Sequence, residues 1–140
     1  MTKNLGVGII GCGNISTAYL QLASMFKGYD IVAVADINID NARAQAAKFG
    51  VRAETVNDLL AAHDVDLIIN LTIPAAHVDV SCAILQAGKH VYSEKPFVLS
   101  LSEAQALGNI AKANNLRIGS APDTFMGGSH QLARNLIDAG

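Results

Sequence analysis

Short apolar runs alternate along this chain with segments in which apolar residues recur at helical spacing. Leu5–Ile10 is the first run and 117–121 the last, and helical segments of about 10–15 residues separate most of them. Parallel strands need such crossover helices, and strands buried on both faces are apolar throughout. The pattern therefore predicts an α/β fold, a doubly wound parallel sheet of about six strands in three layers, α/β/α.

Composition excludes several classes of partner. The chain has 140 residues, 51% of them apolar, and a net charge of −2. It is long enough for one domain, has no apolar run near the ~20 residues of a membrane span, and has no basic stripe for nucleic acid. Cys12 and Cys82 show neither metal-ligand spacing nor a disulfide framework, and residues 1–4 have neither the apolar core nor the cleavage site expected of a signal peptide. We therefore predict a cytoplasmic protein with no metal site and no membrane or nucleic-acid partner.

The stretch GIIGCGNIS, residues 8–16, places two glycines where the first strand meets the first helix. Gly11 permits a tight turn, and Gly13 lets the backbone approach a pyrophosphate at the helix N-terminus. Ser16 takes the third position of a dinucleotide fingerprint, where its hydroxyl is expected to bond a backbone carbonyl one turn back. A plain strand-to-helix turn is the alternative interpretation. The cofactor contacts predicted in this loop are Gly11, Gly13, Asn14 and Ile15.

Asp36 favours the dinucleotide interpretation. It ends the second strand about 20 residues after Ser16, where a carboxylate accepts hydrogen bonds from the adenosine ribose. The sequence therefore predicts a Rossmann domain. A carboxylate here also repels the 2′-phosphate of NADP, and no arginine follows before Arg43. NAD is accordingly favoured over NADP.

The stretch SEKPF, residues 93–97, ends the fifth strand. Pro96 restricts Lys95 to an extended conformation. A lysine held there could present its ammonium to a hydroxyl beside the nicotinamide and stabilise the charge that develops as a proton leaves. A surface Glu-Lys pair at a strand end is equally compatible with the tripeptide.

Polar or conformationally special residues follow the other strands as well. Thr72 and Pro74 come after the fourth strand with His77 one turn on, and Asp123 follows the sixth. Ligands of doubly wound sheets bind beyond the carboxyl ends of the strands, at the point where the strand order reverses. We therefore expect these segments to meet at one edge of the sheet.

The chain resembles the glucose–fructose oxidoreductase/inositol dehydrogenase (Gfo/Idh/MocA) family in the segments GIIGCGNIS, AVADIN, NLTIPAAHVDVSCAILQAGKHVYSEKP and GSAPDTF. The resemblance covers essentially the whole chain, and AGKHVYSEKP is its most specific part. Members of that family pair an N-terminal Rossmann domain with a larger C-terminal α/β domain that binds substrate and makes oligomer contacts. Most oxidise or reduce hydroxyls of sugars or cyclitols with NAD(P).

The resemblance implies a role for each predicted site residue. It implies that Gly11 and Gly13 hold the pyrophosphate, that Asp36 binds the adenosine ribose and that Glu94 binds the nicotinamide ribose. It also implies that Thr72 and Pro74 line the cofactor cleft, with His77 near it. Lys95 is then the catalytic lysine, which faces a sugar or cyclitol-like substrate.

The chain also departs from the family pattern. Ser16 replaces the usual Gly or Ala, and the family's catalytic Asp and His, which lie in the second domain, have no counterpart here. We therefore expect residues 1–122 to form the NAD(P)-binding domain and 123–140 to begin the connection to a C-terminal domain absent from this chain. The chain alone is expected to be inactive, and its full-length parent to be a homo-oligomeric oxidoreductase.

Two other functions remain open. One is a freestanding NAD-binding module that acts as a sensor or partner subunit. The other is a parent enzyme that uses NAD transiently to hydrolyse glycosides or eliminate water, as some members of the family do. Lys95 favours hydride transfer over the sensor, since a sensor needs no cation positioned on the substrate side.

Overall fold

The computed structural model describes residues 4–122 and 124–140, so Asp123, where the predicted domain boundary falls, lies outside it. Its strands β1–β6 span Leu5–Ile10, Tyr29–Ala35, Arg52–Glu54, Leu67–Asn70, His90–Ser93 and Ile118–Ser120. Its helices α1–α6 span Asn14–Leu22, Ile39–Phe49, Val56–Ala61, His77–Gln86, Leu101–Ala113 and Gly128–Ala139. Short 3₁₀ turns span Ala23–Met25, Pro74–Ala76 and Thr124–Met126.

The strands form one parallel sheet in the order β3-β2-β1-β4-β5-β6. Strands β2 and β3 lie in succession on one side of β1, and β4, β5 and β6 lie in succession on its other side. The order reverses between β1 and β4, which is the switch point of a Rossmann fold. The predicted doubly wound parallel sheet is confirmed.

Two clusters of buried side chains cover the two faces of the sheet. Successive strand residues point to opposite faces, and Ile68 and Ile69 of β4 accordingly belong to different clusters. Helices α3, α4 and α5 pack on one face through Leu59, Ile84, Leu85 and Leu107, and α1 and α2 on the other through Leu20, Ala42 and Ala46. These contacts make the three layers that the sequence predicts.

Two helices differ from prediction at their ends. Helical spacing of apolar residues over 14–26 predicts that the first helix runs to Phe26, but it ends at Leu22 and continues as the 3₁₀ turn 23–25. The fourth begins as a 3₁₀ turn at Pro74, and regular α-helix starts only at His77. Proline suits the first position of a helix because it has no N–H to leave unpaired.

The last helix makes little contact with the rest of the domain. No residue of α6 is buried. The segment 124–137 instead exposes the large apolar side chains of Phe125, Met126, Leu132, Leu136 and Ile137. An exposed apolar surface of this kind is typical of an interface with another part of a protein or with a partner.

Candidate functional site

The strand register brings the predicted site to one edge of the sheet. Ile10, which ends β1, pairs with Ala35 of β2 and Asn70 of β4, and Asn70 pairs with Ser93 of β5. The residues that come next therefore share the carboxyl edge: Gly11, Asp36, Leu71 and Glu94. Backbone hydrogen bonds continue across this row, among them one of 2.9 Å from the Gly11 N–H to the Ala35 carbonyl.

Gly11 allows the loops after β1 and β4 to touch. Its φ of 102° lies in a region that favours glycine. A Cβ at this position would lie 2.6 Å from the carbonyl carbon and oxygen of Leu71 and 2.8 Å from the Thr72 nitrogen. Glycine is needed here because a side chain would collide with the backbone of Leu71 and Thr72.

Gly13 and the start of α1 form a surface suited to an anion. Gly13 is the N-cap of α1, with no side chain capping the helix, and a Cβ on it would meet nothing within 4 Å. Asn14 and Ile15 are exposed beside it. The first turn of α1 has no acidic residue, whereas the first turns of α2 to α5 contain Asp40, Asp58, Asp79 and Glu103. The positive end of the helix dipole therefore lies beside open space at Gly13, as a pyrophosphate requires.

Ser16 is accommodated inside the fingerprint. It is fully buried, and its hydroxyl donates a 2.6 Å hydrogen bond to the Gly13 carbonyl. The bond expected from the sequence is confirmed. A serine can replace the small apolar residue because its one polar atom has a partner.

Asp36 joins two loops of the site. One carboxylate oxygen accepts from the Cys12 N–H at 2.7 Å, and the other accepts from the Asn38 N–H at 2.9 Å and the Asn41 amide at 3.3 Å. A carboxylate has about four acceptor positions, so capacity remains for ribose hydroxyls. Asp36 thus positions the glycine loop through the Cys12 N–H.

Cys12 is a buried thiol behind this loop. Its Sγ donates a 3.5 Å hydrogen bond to the Ala35 carbonyl. Burial, and next the negative charge of Asp36, raise the pKa of Cys12 from the ordinary 9.0 to about 12. The thiol is therefore neutral at physiological pH.

We expect Cys12 to resist thiol reagents in the folded protein, because only the thiolate is nucleophilic. Its raised pKa keeps it neutral up to about pH 12, whereas in the unfolded chain it ionises near pH 9.0. Stability from the neutral thiol is therefore complete below about pH 9 and is lost as pH rises toward 12. Labelling with a disulfide reagent at pH 8 should modify the half-buried Cys82 first. Equal labelling rates of Cys12 in native and denatured protein would contradict this.

Asn70 organises the loop after β4, although the sequence analysis did not identify it. It is fully buried, and its amide nitrogen donates 3.0 Å bonds to the His77 carbonyl and the Ser81 hydroxyl. Its oxygen accepts from the Thr72 hydroxyl at 2.7 Å and backbone N–H at 3.2 Å. A polar residue that interrupts the apolar run LIINL, residues 67–71, is the signal that could have revealed it.

His77 connects the loop after β4 with the loop after β5. It is only 1% exposed, with Nδ1 lying 2.7 Å from the Pro96 carbonyl and Nε2 lying 2.9 Å from the Thr72 carbonyl. Both ring nitrogens are therefore engaged inside the protein. The ring has no nitrogen left for the predicted cofactor contact, and it links the two loops instead.

Glu94 and Lys95 differ sharply in their surroundings. Glu94 is half-buried, and its two carboxylate oxygens accept from the Tyr19 hydroxyl and the Lys95 N–H, each at 3.0 Å. Lys95 is exposed, and the peptide bond that joins it to Pro96 is cis. Within the described parts of the chain, the Lys95 ammonium makes no hydrogen bond or ion pair. It can therefore turn toward a ligand.

The rim of this edge is apolar. Pro74 is exposed and Thr72 half-buried in the loop after β4. Three large aliphatic side chains in the segments after β1, β2 and β4 are also exposed: Ile15, Ile37 and Ile73. Apolar side chains around a few convergent polar groups are typical of a small-molecule site.

The described residues contain no group of three or more His, Cys, Asp or Glu side chains arranged to hold a metal ion. Among them there is also no helix with the length and apolar character needed to cross a membrane.

Residues 5–121 match the Gfo/Idh/MocA oxidoreductase family, which is described as an NAD-binding Rossmann fold. The chain belongs to this family. Its relatives include inositol 2-dehydrogenase of Salmonella typhimurium, which is 33% identical over 142 residues; the match covers 97% of this chain. The chain spans 42% of that relative's length.

Solved structures of the same fold hold either cofactor. GenD2 of gentamicin A biosynthesis, in complex with NAD, superimposes with a TM-score of 0.90 at 25% identity over 97% of this chain and 39% of its own. KijD10, a 3-ketoreductase from Actinomadura kijaniata in complex with NADP and TDP-benzene, superimposes with a TM-score of 0.90 at 25% identity. The match covers 99% of this chain and 43% of the KijD10 chain. The fold is thus common to NAD and NADP complexes.

Proposed function

We propose that this chain binds NAD(H) for an oxidoreductase that transfers a hydride between the nicotinamide and a carbon bearing a hydroxyl group in a sugar or cyclitol. One observation carries the proposal: the uncapped start of α1, the Asp36 carboxylate and the exposed Lys95 ammonium share one edge of the sheet at the switch point. Relatives named as an inositol 2-dehydrogenase and a 3-ketoreductase support the substrate class.

The cofactor would lie across this edge. Asp36 would accept the adenosine ribose hydroxyls, and Gly13 with the first turn of α1 would hold the pyrophosphate. Glu94 follows β5, three strand positions away from the end of β2. That separation, roughly 14 Å at about 4.8 Å per strand, supports a contact between Glu94 and the other half of a dinucleotide.

Lys95 supplies the chemistry on the substrate side. When bound, the dinucleotide provides or accepts the hydride. The Lys95 ammonium would donate a hydrogen bond to the substrate oxygen and offset the negative charge that grows there as the O–H proton leaves. Its lack of a partner among the described residues leaves it available for this contact.

Preference for NAD over NADP follows from the charges near Asp36. A 2′-phosphate would meet the Asp36 carboxylate, and the nearest following arginine, Arg43, is paired with Asp40 at 3.1 Å. No cation near Asp36 is therefore positioned, within the described residues, to neutralise such a phosphate.

We expect Asp36→Ala to weaken NADH binding on the order of tenfold or more, since a carboxylate that accepts ribose hydroxyls contributes about 1.5–3 kcal/mol. Wild-type protein should bind NADH more tightly than NADPH. Titration calorimetry with both nucleotides measures these differences. Asp40→Ala is the matched control, because it removes an exposed carboxylate nearby that lies outside the proposed contact.

Two results would contradict this assignment. Equal wild-type affinities for NADH and NADPH would contradict the preference for NAD. An unchanged NADH affinity in Asp36→Ala would show that the carboxylate does not meet the ribose.

The same proposal includes the domain organisation. Residues 1–122 would form the NAD(P)-binding domain, and 123–140 would begin the connection to a substrate-binding domain. The greater length of the relatives and the exposed apolar side chains of α6 support this division. Assembly into a homo-oligomer and a cytoplasmic location remain predictions.

A further inference from the structure

The Tyr19 side chain connects α1 to the segment that contains Lys95. Its hydroxyl donates a 3.0 Å bond to Oε1 of Glu94, across 75 residues of sequence. The Lys95 N–H donates to the other carboxylate oxygen, Oε2, also at 3.0 Å. Glu94 is therefore held from two sides, by α1 and by its own backbone.

Two bonds on different oxygens fix the orientation of a carboxylate and still leave acceptor positions on each oxygen. A glutamate without such partners would lose rotamer freedom when it bound a ligand, which weakens binding. These two bonds already restrict the rotamers of Glu94. Its remaining acceptor positions are thus preorganised.

The position of Tyr19 on α1 gives this bond a second consequence. Tyr19 lies on the helix whose first turn, at Asn14 and Ile15, is the proposed pyrophosphate site. The hydrogen bond therefore ties that helix to the proposed nicotinamide side of the cleft. Asp36, on the adenosine side, is held by other partners, which are the Cys12 and Asn38 N–H groups and the Asn41 amide.

We propose that Tyr19 is a positioning residue that orients Glu94 to accept hydrogen bonds from the nicotinamide-side ribose of the dinucleotide. This inference rests on the proposed NAD(H) binding. It assigns to Tyr19 a role that is specific to one half of the ligand.

The test compares two ligands in Tyr19→Phe, which removes only the hydroxyl. NADH reaches Glu94, whereas ADP supplies the adenosine and the two phosphates but has no second ribose. We expect Tyr19→Phe to weaken NADH binding about fivefold, the effect of losing one hydrogen bond, and to leave ADP binding within twofold. Tyr29→Phe is the control, because Tyr29 begins β2 at the opposite edge of the sheet.

A double-mutant cycle with Glu94→Ala tests whether Tyr19 acts through the carboxylate. Tyr19→Phe should cause no further loss of NADH affinity when Glu94 is absent. Additive losses, an equal loss of ADP binding, or an unchanged NADH affinity in Tyr19→Phe would each overturn the inference. Failure of the wild-type protein to bind NADH or ADP would instead overturn the proposed function on which it rests.

Discussion

Gly11→Ala is expected to destabilise the whole domain, whereas Gly13→Val is expected to leave it folded and abolish NADH binding. At Gly11 the φ of 102° alone costs a side chain about 1–3 kcal/mol. The new Cβ would also lie 2.6 Å from the Leu71 carbonyl, a backbone atom of the neighbouring loop. The loop after β1 would have to move away from β4.

Gly13 presents the opposite situation. Its φ of −75° suits any residue, and a Cβ there meets nothing within 4 Å. Valine is a poorer N-cap than glycine, which costs about 1 kcal/mol or less. The space that its side chain would fill is the space proposed for the pyrophosphate, so the loss should appear in binding.

Thermal unfolding followed by circular dichroism, together with NADH fluorescence titration, separates the two variants. We expect a large fall in melting temperature for Gly11→Ala and a small one for Gly13→Val. Normal NADH affinity in Gly13→Val would show that the loop does not approach a phosphate. A melting temperature of Gly11→Ala close to that of wild type would contradict the steric argument.

Lys95→Met is expected to reduce kcat about a hundredfold or more in the complete gene product. Loss of one donor to a developing oxyanion typically costs about 2.7–4 kcal/mol. In the proposed role the ammonium would stabilise the transition state more than the bound substrate, so the loss should appear mainly in kcat. NADH affinity should barely change, because the proposed contact of Lys95 is with the substrate and not with the dinucleotide.

Steady-state turnover with inositols and sugars, measured beside NADH titration, tests this prediction. Lys112→Met is a suitable control, because Lys112 is an exposed lysine on α5. A fall in turnover of less than about threefold, or a collapse of NADH binding, would make Lys95 a structural residue.

Much of the architecture is predictable from local patterns. Continuous apolar runs such as Leu5–Ile10 predict buried parallel strands, and β1 has the predicted bounds. Ser100 and Ser102, followed by Glu103 and Gln105, predict overlapping capping boxes. The box of Ser100 and Glu103 is the one that begins α5. These signals involve residues within a few positions of one another, so they do not depend on how distant segments pack.

Edge strands were harder to predict. The third strand, expected near Val51–Ala53, spans Arg52–Glu54, one residue later. It lies at the end of the sheet and pairs on one side only, with β2. A short, half-exposed strand has a weak apolar pattern, and its bounds are therefore set by its partner.

The sequence by itself determined the fold class, the edge of the sheet proposed to bind the ligand, and the residue types available there. Glycine after β1, a carboxylate after β2 and a lysine after β5 follow from local order and from the rule that parallel strands end at one edge. Tertiary structure alone decided how these groups are used. It placed Leu71 against Gly11, buried the His77 ring between two carbonyls and joined Tyr19 to Glu94. Contacts between residues so far apart in the chain depend on strand order and register, which no local pattern encodes.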